Sequence, residues 1–211
     1  MKLYVYEHCP FSSRARMIFG LKDLPFDMSV IMEGDEDTPN RLVGRKVVPI
    51  LQKDDGSHMA ESMDIVRHVD ASDGEPMLAG AGDARIHDWC KQAWPTVLKL
   101  AIPRFTRGDF AEMATAPARA AYLARERKAF GDLDLLMEQT PTLIADMAPR
   151  LAALGPLLDE PKALDEADIV LYPILRCLSI VKDLDFPLTV RSYMARLETD
   201  SAVELFFDQA M

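Results

Sequence analysis

The sequence is poor in cysteine and has no long apolar run. It holds three cysteines, Cys9, Cys90 and Cys177, in 211 residues. No apolar stretch approaches the roughly 20 residues that span a bilayer. Three widely separated cysteines suit neither a disulfide framework nor a zinc site, so we expect reduced thiols. Since residues 3–6 already read as a strand and no secretory signal precedes them, we predict a cytoplasmic protein with no membrane partner.

Basic residues and clustered histidines are also scarce. The chain carries 24 Lys and Arg against 34 Asp and Glu, a formal net charge of −10. Because duplex binding needs clustered cations, we expect no nucleic-acid partner. The histidines show no spacing typical of a metal site, so we expect no metal and treat them as structural or solvent-facing. They are His8, His58, His68 and His87.

The predicted secondary structure changes near residue 75, from mixed strands and helices to helices. Hydrophobic periodicity before that point predicts the order β-α-β-α-β-β-α. The predicted elements are strand 2–6, helix 11–22, strand 26–31, a short helix 41–44, strands 47–52 and 57–60, and a helix from residue 62 to about 72. From residue 85 onward the pattern is helical and rich in Ala and Leu. We therefore predict an α/β domain (1–75), a linker (76–84) and an all-α domain (85–211).

One helix start in the second half of the chain has a clear signature. Asp165 offers a side-chain acceptor at the cap position, and Asp168 supplies a carboxylate three residues later. The apolar run that follows, residues 169–178, predicts a buried core helix.

Cys9 lies where the first strand gives way to the first helix. Pro10 suits the first helical turn, which places Cys9 at the amino-terminal end of that helix. The unpaired N–H groups there favour a thiolate, and Arg14 and Arg16 add positive charge, so we predict a lowered pKa for Cys9. The alternative is that Cys9 is a small buried hydrophobe. We expect that role for Cys90 and Cys177, which lie in apolar helical segments.

Several segments together resemble the glutaredoxin 2 type of glutaredoxin, a two-domain bacterial form with the shape of a glutathione transferase. They are Lys2–Tyr6, His8–Pro10, Ala15–Lys22, Val48–Asp55, Glu61–Val66, Pro103–Phe105 and the helix Asp165–Leu178. The resemblance covers nearly the whole chain. It implies a thioredoxin-like α/β domain, an all-α carboxyl-terminal domain, and glutathione as co-substrate.

The resemblance also implies a glutathione site. Val48, before a cis Pro49, would present its backbone to the cysteinyl part of glutathione, and Ser62 and Glu61 would bind the γ-glutamyl carboxylate and ammonium. Lys22 would bind the glycyl carboxylate. The alternatives are a strand-starting proline, a helix cap and a solvated cation.

Other residues are weaker candidates for the same site. Arg45 and Lys46 are further possible ligands of the glycyl carboxylate. Tyr6 and Phe11 are predicted either to form a wall beside the reacting sulfur or to pack between sheet and helix.

Ser12 departs from the family pattern, which usually has a second cysteine at this position. A dithiol cycle within the motif is therefore impossible, and the resemblance implies a monothiol mechanism in which Cys9 attacks glutathione mixed disulfides, of proteins or of small thiols. One alternative is a glutathione-binding or protein-interaction module with little turnover. Another is an omega-like glutathione transferase or dehydroascorbate reductase, and conjugation with Ser12 or Ser13 as hydrogen-bond donor also stays open. A monomer is expected, with a dimer left open.

Overall fold

The amino-terminal third of the chain forms a small sheet with three helices. The computed structural model describes residues 1–159 and 162–211. The elements are β1 (Lys2–Val5), α1 (Pro10–Leu21), β2 (Asp27–Val30), α2 (Asp37–Val43), β3 (Ile50–Gln52), β4 (His58–Met59) and α3 (Ser62–Ser72). The predicted order β-α-β-α-β-β-α is confirmed. These elements make up the α/β domain.

Helix α2 begins earlier than the sequence predicted. The sequence predicted a short helix at residues 41–44, but the helix starts at Asp37 and ends at Val43. Asp35 explains the difference, because its carboxylate accepts a hydrogen bond from the Thr38 N–H at 2.9 Å and so satisfies a first-turn donor.

The sheet places three chain segments at one edge. Its strand order is β2-β1-β3-β4; β2 runs parallel to β1, and β3 is antiparallel to both β1 and β4. The carboxyl ends of β1 and β4 therefore meet the amino end of β3. Neighbouring strands lie about 4.8 Å apart, so the segments after β1, before β3 and after β4 lie within about 10 Å across the edge.

The rest of the chain, from residue 84, is helical. It comprises α4 (Ala84–Phe105), α5 (Ala116–Phe130), α6 (Leu133–Glu138), α7 (Thr140–Leu158), α8 (Glu166–Leu178) and α9 (Leu188–Ser201), with short 3₁₀ turns at Ala111–Met113 and Phe207–Gln209. These elements make up the helical domain. Across the described parts of the chain, no helix is long and apolar enough to cross a membrane.

Helix α8 is the central helix of this domain. It packs on α4, α1 and α9, and most of its side chains are buried. The predicted capping box is confirmed: Asp165 Oδ1 accepts from the Ala167 and Asp168 N–H groups, and Asp168 Oδ2 accepts from the Asp165 N–H at 3.0 Å. The cap fixes the start of the helix on which the α/β domain packs.

Helix α1 joins the two domains, because it packs on α3 in its own domain and on α8 and α9 in the other. Gly20 allows its close approach to α9. A Cβ at Gly20 would lie 1.8 Å from the Ser201 carbonyl oxygen, which is backbone and cannot move aside easily.

Gly20→Ala is expected to destabilise the protein by about 2 kcal/mol, because the added methyl overpacks the contact between α1 and α9. Urea unfolding measures the change. The matched control is Gly155→Ala in α7, where a Cβ meets nothing within 4 Å. This control should gain roughly 0.5–1 kcal/mol from helix propensity. Equal stability of the two variants would contradict the packing described.

Candidate functional site

Cys9 occupies the corner between β1 and α1. It is the residue before helix α1, with extended backbone angles, and Pro10 is the first helical residue as predicted. The Ser13 N–H donates to the Cys9 carbonyl at 3.0 Å, which closes the first helical turn. Cys9 is a free cysteine and is partly exposed. Its sulfur therefore lies at the amino end of the helix with access to the space in front of it.

The predicted lowering of the Cys9 pKa is wrong for the free protein. Burial raises the pKa of the Cys9 thiol, the N–H groups of Ser12 and Phe11 and the Ser12 hydroxyl lower it, and the negative charge of Glu112 raises it again. Burial outweighs the helix end because desolvation penalises the charged form. Arg14 lies within electrostatic range of Cys9, whereas Arg16 interacts with Glu7 and Glu204 instead.

Ser12 stands where glutaredoxins of this type have a second thiol. Its side chain is fully buried, and Oγ accepts a hydrogen bond from the Tyr6 N–H at 3.3 Å. The hydroxyl also lowers the pKa of Cys9. Ser12 therefore helps to stabilise a Cys9 thiolate but offers no second sulfur.

The other two cysteines are buried, as predicted. Burial raises the pKa of both Cys90 and Cys177 to about 12. Cys177 lines the same cavity as Cys9, and Cys90 lines a neighbouring groove. Both are thiols at neutral pH, so Cys9 remains the best placed nucleophile.

An apolar cavity of about 490 Å³ opens in front of Cys9, between the two domains. Tyr6 and Phe11 line it, as the sequence suggested, and Phe11 also contacts Trp94 edge-on at 6.3 Å between ring centroids. The helical domain supplies most of the opposite wall. Its lining side chains are Trp94, Val97, Leu98, Ala101, Ile102, Phe105, Tyr122, Arg125, Glu126, Phe130 and Cys177.

Val48 and Pro49 lie beside this cavity. The peptide bond between them is cis, and Val48 lines the cavity together with Cys9. Both residues precede β3, whose ladder with β1 begins at the pair Tyr4 and Ile50. The Val48 backbone thus lies next to the carboxyl end of β1, where the chain turns towards Cys9.

Glu61 and Ser62 begin helix α3 at the same sheet edge. Glu61 has φ 73°, a conformation that costs a non-glycine residue about 1–3 kcal/mol and is commoner at functional sites. Its exposed carboxylate accepts from Arg45 Nη2 at 2.5 Å. The Ser62 side chain is buried, and its hydroxyl has no hydrogen-bond partner within the described chain. An unpartnered hydroxyl and free first-turn N–H groups form a receptor for a carboxylate.

Lys22 is not part of this group, and its prediction as a glycyl-carboxylate ligand is wrong. It follows the last residue of α1, 13 residues after Cys9, which puts it about 20 Å along the helix axis. Its Nζ donates to the Asp70 carbonyl at 2.6 Å and to the Glu75 carbonyl at 3.3 Å, and it lies 3.6 Å from the Asp70 carboxylate. Lys22 therefore ties α1 to the end of α3.

Two other cations lie nearer to the cavity. Lys46 lines it and pairs with Glu36 at 3.0 Å, and Arg45 is bound to Glu61. Both are therefore better placed than Lys22 for a ligand carboxylate. In the described chain, no group of three or more His, Cys, Asp or Glu side chains converges as a metal site would require.

Several residues of the site could not be found from sequence. Arg125, which lines the cavity, binds Glu33 with two hydrogen bonds of 2.7 and 2.8 Å. Glu112 contacts His8, next to Cys9. These partners come from opposite halves of the chain and carry no local signal; only the nearness of His8 to Cys9 in sequence pointed to one of them.

Comparison with known proteins identifies the family. A family model for the glutathione S-transferase N-terminal domain matches residues 3–77, and one for the glutaredoxin 2 C-terminal domain matches residues 85–210. Glutaredoxin 2 of Escherichia coli (strain K12) is 39% identical to the chain over 100% of both proteins. The chain belongs to the glutaredoxin 2 family. This membership confirms the predicted glutathione-dependent oxidoreductase and the predicted fold class.

Solved structures agree with this membership. The crystal structure of Glutaredoxin 2 from Salmonella typhimurium in complex with glutathione matches the present structure with a TM-score of 0.96 and 38% sequence identity. The match covers 100% of the present chain and 98% of the Salmonella chain. Gtt2 from Saccharomyces cerevisiae matches with a TM-score of 0.61 at 20% sequence identity. This match covers 97% of the present chain and 100% of the Gtt2 chain. The second likeness concerns the fold alone.

In the free protein, Cys9 is expected to titrate above the ordinary thiol pKa of 9.0, because burial outweighs the helix end. The ultraviolet absorbance of the thiolate, taken as the difference between the wild type and Cys9→Ser across a pH series, measures this directly. Ser12→Ala should move the titration further into the alkaline range, since the Ser12 hydroxyl is lost. A Cys9 that is already fully ionised at pH 7 would contradict this prediction.

Proposed function

We propose that the chain is a monothiol glutaredoxin that removes glutathione from mixed disulfides, with Cys9 as the nucleophile. The observation that carries the proposal is the placement of Cys9 at a helix amino end on an open apolar cavity, with Ser12 filling the second motif position. Since no second thiol exists in the motif, exchange has to proceed through a glutathionylated Cys9.

The reaction has two balanced exchange steps. The Cys9 sulfur attacks the glutathione sulfur of the mixed disulfide, a new S–S bond forms, and the substrate leaves as its thiol. A second glutathione, as thiolate, then attacks the glutathione sulfur on Cys9, giving oxidised glutathione and free Cys9. The substrate is reduced by two electrons, and two glutathione sulfurs are joined in one disulfide.

Glutathione would lie along the sheet edge. Its cysteinyl backbone would pair with Val48 before Pro49, and its γ-glutamyl carboxylate would reach the free Ser62 hydroxyl and the first-turn N–H groups of α3. Its ammonium would form an ion pair with the Glu61 carboxylate, which is bound to Arg45 in the free protein. The released Arg45 and the nearby Lys46 would then be available for the glycyl carboxylate. The structure of the Salmonella relative was solved in complex with glutathione, which supports glutathione as the ligand.

The proposed substrates are glutathionylated proteins and small mixed disulfides. The cavity beside Cys9 is largely apolar, so it favours an apolar group next to the substrate sulfur. In this proposal residues 1–75 bind glutathione, residues 85–211 supply the opposite wall, and residues 76–84 link them. The proposed setting is a monomer in the cytoplasm, where reduced glutathione is abundant.

A second candidate is a glutathione-binding module with little turnover. The raised pKa of Cys9 favours it, because a thiol that stays protonated is a poor nucleophile. Both candidates predict glutathione affinity, but only the first predicts exchange at Cys9.

Intact-mass spectrometry after oxidised glutathione separates the two candidates. The wild type should gain the mass of one glutathionyl group at Cys9, and reduced glutathione should reverse the addition. Cys9→Ser should show no adduct and no exchange activity. A protein that binds glutathione without forming the adduct would favour the binding module, and full exchange by Cys9→Ser would refute the mechanism.

Ser12→Cys is the complementary variant. It restores a second sulfur in the motif, so it should gain direct reduction of a small disulfide such as cystine, which the wild type should perform poorly. Ser12→Ala, which removes the hydroxyl and adds no sulfur, serves as the control. The gain is measured by the rate of disulfide reduction without mixed-disulfide substrate, and its absence would show that the motif cannot run a dithiol cycle.

A further inference from the structure

A second groove, with a volume of about 290 Å³, adjoins the Cys9 cavity. Phe11 and Trp94 line both spaces, and their ring centroids lie 6.3 Å apart. The groove therefore opens off the cavity beside this aromatic pair. Its lining residues are Phe11 and Arg14 of α1, His87, Cys90, Lys91 and Trp94 of α4, and Val170 and Ile174 of α8.

Helix spacing puts the lining residues on one face of each helix. Those of α4 are three, four and seven positions after His87, and those of α1 and α8 are three and four positions apart. Cys90 and Ile174 are buried, whereas Lys91 is exposed. The groove thus combines an apolar floor with positive charge at its rim.

Arg14 has no acidic partner in the part of the chain that the structure describes. Its guanidinium carbon lies 4.7 Å from the Phe11 ring centroid, which keeps the side chain on the groove side of α1. Its Nε is buried and has no hydrogen-bond partner. A half-buried guanidinium with an unsatisfied N–H is costly to the fold, and an anion beside the guanidinium lowers that cost.

Lys91 is a second cation at the rim. It makes no ion pair or side-chain hydrogen bond with any described residue. Glu166, an acid whose pKa is lowered by the charge of nearby His87, is already bound by Arg67 with two hydrogen bonds of 2.7 and 2.8 Å. The groove therefore keeps uncompensated positive charge in a chain whose formal net charge is −10.

The groove lies within reach of a substrate that reacts at Cys9. Arg14 is five residues after Cys9, about 7.5 Å of helical rise, and its side chain leans back over Phe11. An extended peptide advances about 3.4 Å per residue. A side chain two or three positions from the reacting cysteine of a substrate therefore reaches the guanidinium.

The groove is separate from the residues proposed to bind glutathione. None of them lines it: Val48, Pro49, Glu61 and Ser62 belong to the sheet edge, and the groove lies between helices. In a mixed disulfide, glutathione would occupy the sheet edge. The groove is then left for the other half of the substrate.

We propose that this groove selects protein substrates that carry an acidic side chain two or three residues from the glutathionylated cysteine, with Arg14 and Lys91 binding its carboxylate. This inference rests on the proposed function and names the substrate class of the same site. Because the chain as a whole is acidic, an acidic segment finds its favourable contact at the cations next to Cys9. Charge complementarity of this kind gives specificity and orientation.

Two glutathionylated peptides test the proposal. They are identical except that one has Glu, and the other Gln, at the second position on each side of the modified cysteine. In the wild type at about 0.05 M salt, kcat/KM for the Glu peptide should exceed that for the Gln peptide about fivefold, since the pair is only partly shielded from water. The preference should fall below about twofold at roughly 0.5 M salt, because salt screens the ion pair.

Four variants locate the preference. Arg14→Gln and Lys91→Gln should each lose most of it, and Arg14→Lys should keep most of it. The control Lys99→Gln removes the same charge from an exposed position of α4, about 12 Å further along the helix, and should keep the preference. The readout is the ratio between the two peptides, so any general effect of Arg14 on Cys9 cancels.

Lys91 is exposed, so Lys91→Gln keeps the test decisive if Arg14→Gln does not fold. Circular dichroism confirms the fold of each variant. A further comparison uses the glutathione–cysteine and glutathione–cysteamine disulfides, of which only the first has a carboxylate beside the reacting sulfur.

The outcomes separate this inference from the proposed function. Equal kcat/KM for the two peptides in the wild type, or an unchanged preference in the folded Gln variants of Arg14 and Lys91, overturns the role of the groove alone. A preference confined to the glutathione–cysteine disulfide, with none between the peptides, also overturns it. Absence of exchange with either peptide in the wild type overturns both.

Discussion

Arg176 is a residue of the helical domain, yet its guanidinium binds the chain on both sides of Cys9. Nη1 donates to the Glu7 carbonyl at 2.9 Å and to Ser13 Oγ at 3.1 Å, while Nε donates to the Glu204 carbonyl at 2.6 Å. Burial lowers the pKa of Arg176 to about 10, so it remains charged at neutral pH. A buried charge of this kind is tolerated only when its donors are satisfied, and here the Glu7 carbonyl, the Ser13 hydroxyl and the Glu204 carbonyl accept from it.

The same loop is bound by the helical domain at two further points. Glu7 Oε2 accepts from the Ala111 N–H at 2.7 Å, and His8 is held by Glu112. The segment that leads to Cys9 thus takes its shape from residues more than 100 positions away. The apolar cavity follows from the same arrangement, because its two walls come from the two domains. The position of Cys9 and the cavity in front of it are therefore features of the docked domains rather than of the α/β domain alone.

Local features of this structure could be read from the sequence, and long-range ones could not. The corner at Cys9 and the capping box at Asp165 depend on neighbours a few residues away, so their patterns sufficed. The prediction that Lys22 binds the glycyl carboxylate failed because a motif match gives no distance. The 12-residue helix α1 separates Lys22 from Cys9. The prediction of a lowered Cys9 pKa failed for a related reason. The N–H groups of α1 lower this pKa as expected, but burial and the charge of Glu112, a residue of the helical domain, raise it.

Replacement of Arg176 by Lys tests most directly whether the helical domain sets the active-site loop. Lysine keeps the charge but loses the planar fork, in which Nη1 reaches Glu7 and Ser13 while Nε reaches Glu204. The measurement is the rate constant for glutathionylation of Cys9 by oxidised glutathione in the folded variant, with Arg191→Lys on the exposed face of α9 as control. The account predicts a fall of at least about tenfold, equivalent to about 1.4 kcal/mol, for Arg176→Lys only. A folded Arg176→Lys protein that reacts at the wild-type rate would contradict it.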